Sequence, residues 1–391
     1  MKDNTTKLLG LEDAIVKKVW EDDESKHIEI ELPRREHRCP CCGAATDKIH
    51  DYRKQRIKDC PAFGKHVYLH LRKRRYVCSC CGKRFYEDNN FVPRYYRITG
   101  RKCAQIINAF RETVSASHIA REHNISVSTA LRYFDMVSYS CKELPEVLSI
   151  DEFKGNAGGE KYQSIITDAD GHIPIDVLPN RKKSDLLRYF YKFENRKAVK
   201  YVVMDMNSQF KDVAETCFPK ATIVIDRYHV SRQALWAMER VRKTEQKALP
   251  TQWRKFCKRS RYLLFTPQDK LKPEELEKLR IILGLSTRIQ IAYDLKNDFI
   301  EMMHAPNSET AAKLMGDWIY HAECSSCAEF HDCTRALHNW SQYILNSFDC
   351  PYTNGFTEGC NNKTKVLKRV SYGVRNFPRF RNRILHCASQ R

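Results

Sequence analysis

Hydrophobic patterning divides the chain into regions of different character. Near the N-terminus a short amphipathic segment, Leu8 to Trp20, is followed by the acidic Glu21-Asp22-Asp23-Glu24 and then the alternation His27-Ile28-Glu29-Ile30-Glu31-Leu32. Alternation at period two predicts a strand with one solvated face. Residues 36–92 are rich in cysteine and basic residues and contain a second alternation, Val67-Tyr68-Leu69-His70-Leu71. Residues 100–140 read as three short helices. Residues 146–230 switch to short apolar runs separated by helical stretches, which predicts a mixed α/β unit. Residues 231–350 keep helical periodicity almost throughout, with breaks near Pro250, Pro267, Pro273 and Pro306. Trp236, Trp253, Trp318 and Trp340 in this stretch read as core. Residues 355–391 hold one further helical segment and a basic tail.

Acidic residues end three of the apolar runs. The run predicted as a first strand, Val147–Phe153, carries Asp151. A hairpin follows, Lys161–Thr167 and His172–Leu178, around Asp168-Ala169-Asp170-Gly171, where the aspartates are turn residues. Next come a helix over Lys182–Glu194, a strand over Lys200–Met204 ending at Asp205, a helix over Asn207–Cys217, and a strand over Ala221–Ile225 ending at Asp226. Glu358 lies far downstream, at the start of a helix predicted to run to Val370. A carboxylate at the end of a buried strand is costly without a partner, and a divalent cation is the obvious one. The element order fits an RNase H-like core interrupted by a large helical insertion. In such a core the first and fourth strands adjoin. Asp151, Asp205 and Glu358 would then hold Mg²⁺ or Mn²⁺ for an in-line phosphoryl transfer. Asp226 also ends a strand and competes with Asp205 for the second position. Strand adjacency favours Asp205, leaving Asp226 and His229 to line the site. Glu152 points to the opposite face.

Composition turns this chemistry toward a polyanion. The chain has 391 residues and a formal charge of +20, which attracts phosphate backbones. No stretch reaches transmembrane length and no signal-peptide pattern opens the chain, so a cytoplasmic nucleic-acid-binding protein is expected. The 17 cysteines are too many, in too large a chain, for a disulfide framework. Cys39 and Cys42 form one C-x2-C pair and Cys78 and Cys81 another, each followed by glycine. Two such knuckles suit one zinc ion, although Cys41 and Cys80 could replace their neighbours. Cys324, Cys327, Cys333 and His331 sit in a predicted helix, Met315 to Phe348, where their spacings do not converge on a metal.

Between the knuckles, Arg53, Lys54, Arg56, Arg72, Lys73, Arg74 and Arg75 are interleaved with Tyr52, Phe63, Tyr68 and Tyr76. This suits contact with DNA phosphates. Residues 115–124 and 126–134 read as a helix-turn-helix with Ile125 in the turn and Ser126 as N-cap. Ser128, Thr129, Arg132 and Tyr133 would face the major groove. Asn361, Asn362, Lys363, Lys365, Lys368 and Arg369 follow Glu358 at helical spacing and would hold phosphates.

The segments Ser149-Ile150-Asp151-Glu152-Phe153, Met204-Asp205-Met206, Asp226-Arg227-Tyr228-His229-Val230, Asn354-Gly355-Phe356-Thr357-Glu358-Gly359-Cys360-Asn361-Asn362-Lys363 and Tyr372-Gly373-Val374-Arg375-Asn376-Phe377 together resemble bacterial insertion-sequence transposases of the ISL3 family. The order of parts matches over nearly the whole chain. The resemblance implies a DDE transposase that binds the terminal inverted repeats of its own element and cuts and joins DNA strands. It also implies that Asp226-Arg227-Tyr228-His229 is an accessory motif of the site. A homodimer or higher oligomer is expected, because two element ends must be held together. The expected organisation is a zinc-binding segment (1–95), a helix-turn-helix (96–145), the first part of the core (146–230), the helical insertion (231–350) and the glutamate helix with its tail (351–391). The rivals are a DNA-binding regulator derived from a transposase and an RNase H-like nuclease without end specificity.

Overall fold

A computed structural model describes residues 6, 10–11, 14–93 and 95–388. These divide into two compact units. The first comprises the described residues within 1–139, 367–373 and 382–388, and the second residues 140–366 and 374–381.

In the first unit, strands β1 (Ile15–Glu21), β2 (Ser25–Glu31), β5 (Ile49–Ala62), β6 (Lys65–Val77) and β7 (Arg84–Tyr86) form one sheet, while β3 (His37–Arg38) and β4 (Ala45–Thr46) form a small ribbon. Sheet order is β1-β2-β6-β5, with β7 also on β6 and the β2–β6 pair parallel. The amphipathic segment Leu8–Trp20 lies partly outside the described residues; its described end is strand β1. The alternation at Val67–Leu71 extends much further than its apolar core suggests. Val67, Leu69 and Leu71 are buried with Ile28, Ile30 and Ile57, while the basic remainder of the hairpin continues as strand because each residue has a ladder partner on β5. Helices α1 (Gly100–Ala109), α2 (Ala116–Glu122) and α3 (Val127–Phe134) follow.

The second unit holds a five-stranded sheet of order β10-β9-β8-β11-β12. Its strands are β8 (Val147–Phe153), β9 (Gln163–Asp168), β10 (Ile173–Leu178), β11 (Tyr201–Met204) and β12 (Thr222–Ile225). Strand β9 runs antiparallel to β8 and β10, whereas β8, β11 and β12 are mutually parallel. The parallel strands are buried on both faces, which is why they read as continuous apolar runs. Helices α4 (Lys183–Phe190) and α5 (Ser208–Cys217) connect them. The expected helix Lys182–Glu194 is shorter, closing at Tyr191 before a 3₁₀ turn over Glu194–Ala198. The hairpin turn is as expected, with Asp168 Oδ1 accepting from the Asp170 and Gly171 amides.

After β12 the chain is helical: α6 (Arg227–Ala248), α7 (Thr251–Arg259), α8 (Pro273–Gly284), α9 (Thr287–Met303), α10 (Ser308–Cys324), α11 (His331–Asp349), α12 (Gly355–Val370) and α13 (Phe377–Ala388). Two breaks carry no proline. Ser286 caps α9 by accepting from the Ile289 amide, and residues 325–330 interrupt what reads as one helix from Met315 to Phe348. The core of the sheet continues into this helical region through Val230, Met238, Phe299, Trp318 and Ile344. Trp318 is buried and Trp340 half-buried, but Trp253 and Trp236 are exposed, against the expectation of core positions. The inner face of α6 is lined by Ala234, Ala237, Met238 and Val241, so Trp236 falls on the opposite side. The expected basic tail is the helix α13, and in its first-unit part Arg383 and His386 are buried. There the Arg383 guanidinium donates to Glu112 and Val114 carbonyls and lies over the Phe110 ring. Among the described residues no helix is long and apolar enough to cross a membrane.

Candidate functional site

In the first unit, each cysteine knuckle is shaped by its own backbone. The Gly43 amide donates to the Cys39 carbonyl and the Gly82 amide to the Cys78 carbonyl, with φ of 72° and 68° at the two glycines. That left-handed turn is cheap only for glycine. The two knuckles meet. Cys39 Sγ lies 3.5 Å from Cys81 Sγ and Cys42 Sγ 3.5 Å from Cys78 Sγ, and all four ligand atoms fall within 4.8 Å of one another. Thiolates about 2.3 Å from a tetrahedral zinc sit about 3.8 Å apart, so the set fits zinc. The Cys42 and Cys41 amides pull the Cys39 thiol down to about 6, toward the thiolate a metal needs. Cys41 and Cys80 are exposed and stand outside the cluster.

The basic positions separate by environment. Arg53, Lys54, Arg56 and Arg72 are exposed on the β5–β6 hairpin, with Arg56 over the Tyr68 ring at 3.7 Å and Arg72 over Tyr52 at 3.8 Å. Lys73 and Arg75 are half-buried, the latter paired with Asp51 at 2.6 Å. Arg74 corrects the expectation of a DNA contact. It is 6 % exposed and donates to the Leu32 carbonyl and to Glu87, because its strand position faces inward. In the helix-turn-helix, Ser126 caps α3 as read from sequence, and Ser115 caps α2. Asn124 makes the turn at φ 50°, and its side chain donates to Tyr68 of the sheet. Ser128 and Arg132 are exposed and Thr129 half-buried. Tyr133, expected to face out, is 2 % exposed and packs with Ile98, Ile106 and Phe134. One residue of helical rotation beyond Arg132 already points it at the core.

In the second unit, three parallel strands end in aspartate at matched register. Ile150 of β8 pairs with Met204 of β11, and Met204 with Ile225 of β12. The next residues, Asp151, Asp205 and Asp226, therefore form a row with Asp205 in the middle. Asp151 is 5 % exposed, and burial with the Asp205 charge pushes its carboxyl up to about 7. Burial also raises Asp205. Asp226 caps α6 by accepting from the Tyr228 amide at 2.9 Å. One turn on, His229 reaches back over the row. Its Nδ1 lies 3.0 Å from Asp205 Oδ1 and 3.9 Å from Asp226 Oδ2, and its Nε2 lies 3.7 Å from Glu358 Oε1. Asp226, and after it Asp205, raise the His229 pKa against the opposing effect of burial.

This crowding suits a cation. Asp205, Asp226 and His229 offer ligand atoms all within 4.8 Å of one another, yet the buried His229 Nδ1 makes no hydrogen bond. The raised carboxyls of Asp151 and Asp205 are relieved by positive charge between them. Asp151 and Glu358 border this closest group, Asp151 through the Asp205 charge that raises it and Glu358 through His229. Glu152 points away, as expected, and pairs with Arg181 at 2.5 Å.

Helix α12 reaches the row through a buried polar seam that the sequence reading missed. Asn361 Nδ2 donates to Asp151 Oδ2 at 2.6 Å, and Asn354 Nδ2 to Asp205 Oδ1 at 3.2 Å. Ser149 Oγ donates to Asn354 Oδ1 at 2.6 Å, and Thr357 Oγ1 to Ser149 Oγ at 2.9 Å. Asn361 is thus buried on the Asp151 carboxylate rather than offered to phosphates. Lys363, Lys365 and Arg369 are exposed and Lys368 half-buried. The signal was present: Asn354, Thr357, Asn361 and Thr364 recur every three or four residues, one buried face of a helix.

Two family models match the chain. The DDE transposase model of the ISL3 type, described as transposase, matches residues 148–384, which include the whole acidic row and Glu358. A model described as the zinc-finger of transposase IS204/IS1001/IS1096/IS1165 matches residues 35–81. Among curated proteins, the transposase for insertion sequence element IS1001 of Bordetella parapertussis is 26% identical over 369 residues, covering 91% of this chain and 90% of that protein.

Proposed function

The chain belongs to the ISL3 family of DDE transposases, and we propose that it recognises the terminal inverted repeats of its own insertion sequence and cuts there with Asp151, Asp205 and Glu358 as ligands of Mg²⁺ or Mn²⁺. It is a transposase, an enzyme that cleaves and joins DNA strands. The observation that carries the site assignment is the row of strand-end aspartates at one register, to which α12 brings Glu358. The sheet order, with β8 beside β11, supports an RNase H-like core. Asp205 is preferred over Asp226 because it adjoins Asp151, while Asp226 spends one oxygen on the cap of α6. A divalent cation at this row would lower the pKa of an attacking water or 3′-hydroxyl and stabilise the leaving oxygen. The residues prepare that chemistry. Asn361 and Asn354 fix the carboxylate orientations, and His229 stands where it can take or return a proton at Nε2 beside Glu358.

End recognition is assigned to the first unit. Arg53, Lys54, Arg56 and Arg72 would contact phosphates, and Ser128, Thr129 and Arg132 would read the major groove. Lys363, Lys365, Lys368 and Arg369 would hold further phosphates. Two copies would act together, one per end, in the cytoplasm of a bacterium. The test is cleavage of labelled DNA carrying the element's ends with Mg²⁺ or Mn²⁺, comparing wild type, Asp205→Ala and Asp226→Ala. Loss only in Asp205→Ala supports the assignment. Loss only in Asp226→Ala moves the second ligand to Asp226. Binding without cutting by wild type would favour a regulator instead.

A further inference from the structure

Helix α6 leaves the acidic row carrying an exposed stripe on its solvent side. Tyr228, Arg232 and Trp236 recur every fourth residue, so they share one face. Tyr228 is 58 % and Trp236 52 % exposed. The Arg232 guanidinium lies between them, 4.7 Å from the Trp236 ring centroid and 6.0 Å from that of Tyr228. No hydrogen bond or ion pair occupies it among the described residues, and its Nε lacks an acceptor. The stripe starts at the site itself: the Tyr228 ring meets the His229 ring edge-on at 5.6 Å. Scattered exposed aromatics are ordinary on a protein surface. A contiguous Tyr–Arg–Trp ladder that begins at a carboxylate row and holds a cation without an anion is a different matter.

We infer that this ladder binds unpaired bases of the DNA strand being cut, with a phosphate on Arg232. The inference rests on the transposase reading of the acidic row. Its physical basis is access. Asp151 is almost fully buried, and a phosphate approaches so recessed a site more easily when the neighbouring base pairs open. Bases released from a duplex lose their stacking and regain it on aromatic faces, which accept any base because every base has a π-face. Tyr228 and Trp236 lie about 12 Å apart along the helix, against about 3.4 Å per stacked base, so the two rings serve different nucleotides. The guanidinium between them supplies the charge complement that a protein or lipid occupant would not require.

The test uses the full-length, zinc-loaded protein and two duplexes carrying the element's end. One is fully paired; the other has two mismatched pairs at the cleavage position. Both carry 2-aminopurine there. Wild type should quench the 2-aminopurine of the mismatched duplex, which starts unstacked and bright, and cut both duplexes. Trp236→Ala should leave the probe bright and cut the paired duplex at least about 5-fold more slowly, within the about 5- to 150-fold range of one stacking contact. The mismatched duplex should largely restore its rate, and Trp236→Phe should behave as wild type. Unaltered quenching in Trp236→Ala, an equal slowing on both duplexes, or a Trp236→Phe variant as impaired as Trp236→Ala would overturn the inference. Quenching by a wild-type protein that never cuts would support the ladder while refuting the transposase reading of the acidic row.

Discussion

The cysteine knuckles and the acidic row each bring together groups that could hold a metal ion, but they are built in opposite ways. Each knuckle gathers two cysteines within four residues, and its geometry is fixed by hydrogen bonds inside the turn and a left-handed glycine. The acidic row and Glu358 together gather residues more than two hundred positions apart, and nothing local brings them together. Asp151 and Asp205 are neighbours only because β8 and β11 pair at one register, and Glu358 only because a polar seam seats α12. A locally closed site needs its spacing; a topologically closed one needs the sheet. A shift of one residue between β8 and β11 would turn one aspartate to the other face.

Breaking the acidic row should have the largest effect. Asp151→Ala should lower end cleavage at least about 10³-fold while leaving end binding nearly intact, since metal ligands contribute several kcal/mol to the transition state. Gel assays of labelled ends, with and without cutting, measure both. Lost binding would show that the carboxylate is structural. Breaking a knuckle should have the reverse profile. Cys39→Ser should release zinc, seen by elemental analysis, and weaken end binding about 100-fold or more, because a structural zinc contributes folding energy directly. Retained zinc and tight binding would point to Cys41 as a substitute ligand.

A smaller effect sharpens the comparison. Asn361→Ala should lower activity or metal affinity about 10- to 100-fold, the usual cost of losing a partner that orients a ligand, and higher Mn²⁺ should recover part of it. An unchanged metal dependence would mean that the seam only packs the helix. The smallest effect is on stability. The folded-state pKa of Asp151, about 7, lies above its unfolded value, so the folded protein holds a proton that the unfolded chain releases. Without a divalent cation, stability should therefore fall as pH rises from the unfolded value toward neutrality. Added Mn²⁺ should raise Tm more at pH 8 than at pH 5.5, at about 2–4 °C for each kcal/mol, and Asp151→Asn should flatten the difference. Thermal scans without chelator, to spare the zinc, check this.

Much of the fold was legible because local signals suffice for it. Continuous apolar runs marked β8, β11 and β12, and Asp168-Ala169-Asp170-Gly171 marked the turn between β9 and β10. Ser126 marked the start of α3. The long β5–β6 hairpin was not legible, because its basic half has no alternation and is strand only through its partner. The break at 325–330 carries neither glycine nor proline. Exposure misled most where helical phase decides it: Trp236 points out and Tyr133 points in, and composition alone does not distinguish them.

The sequence by itself determined the cysteine spacing, the strand-end position of each aspartate, the caps and the family to which the chain belongs. These are local or cumulative properties, written in neighbouring residues or summed over the whole chain. Tertiary structure alone decided that Asp151, Asp205 and Asp226 stand in a row, that Asn354 and Asn361 hydrogen-bond to the carboxylates, that Arg74 is buried on Glu87, and that Trp236 faces solvent. The reason is physical. Register, helix phase and the pairing of buried polar groups are set by which surfaces meet, and that choice minimises a free energy distributed over contacts that no short stretch of sequence contains.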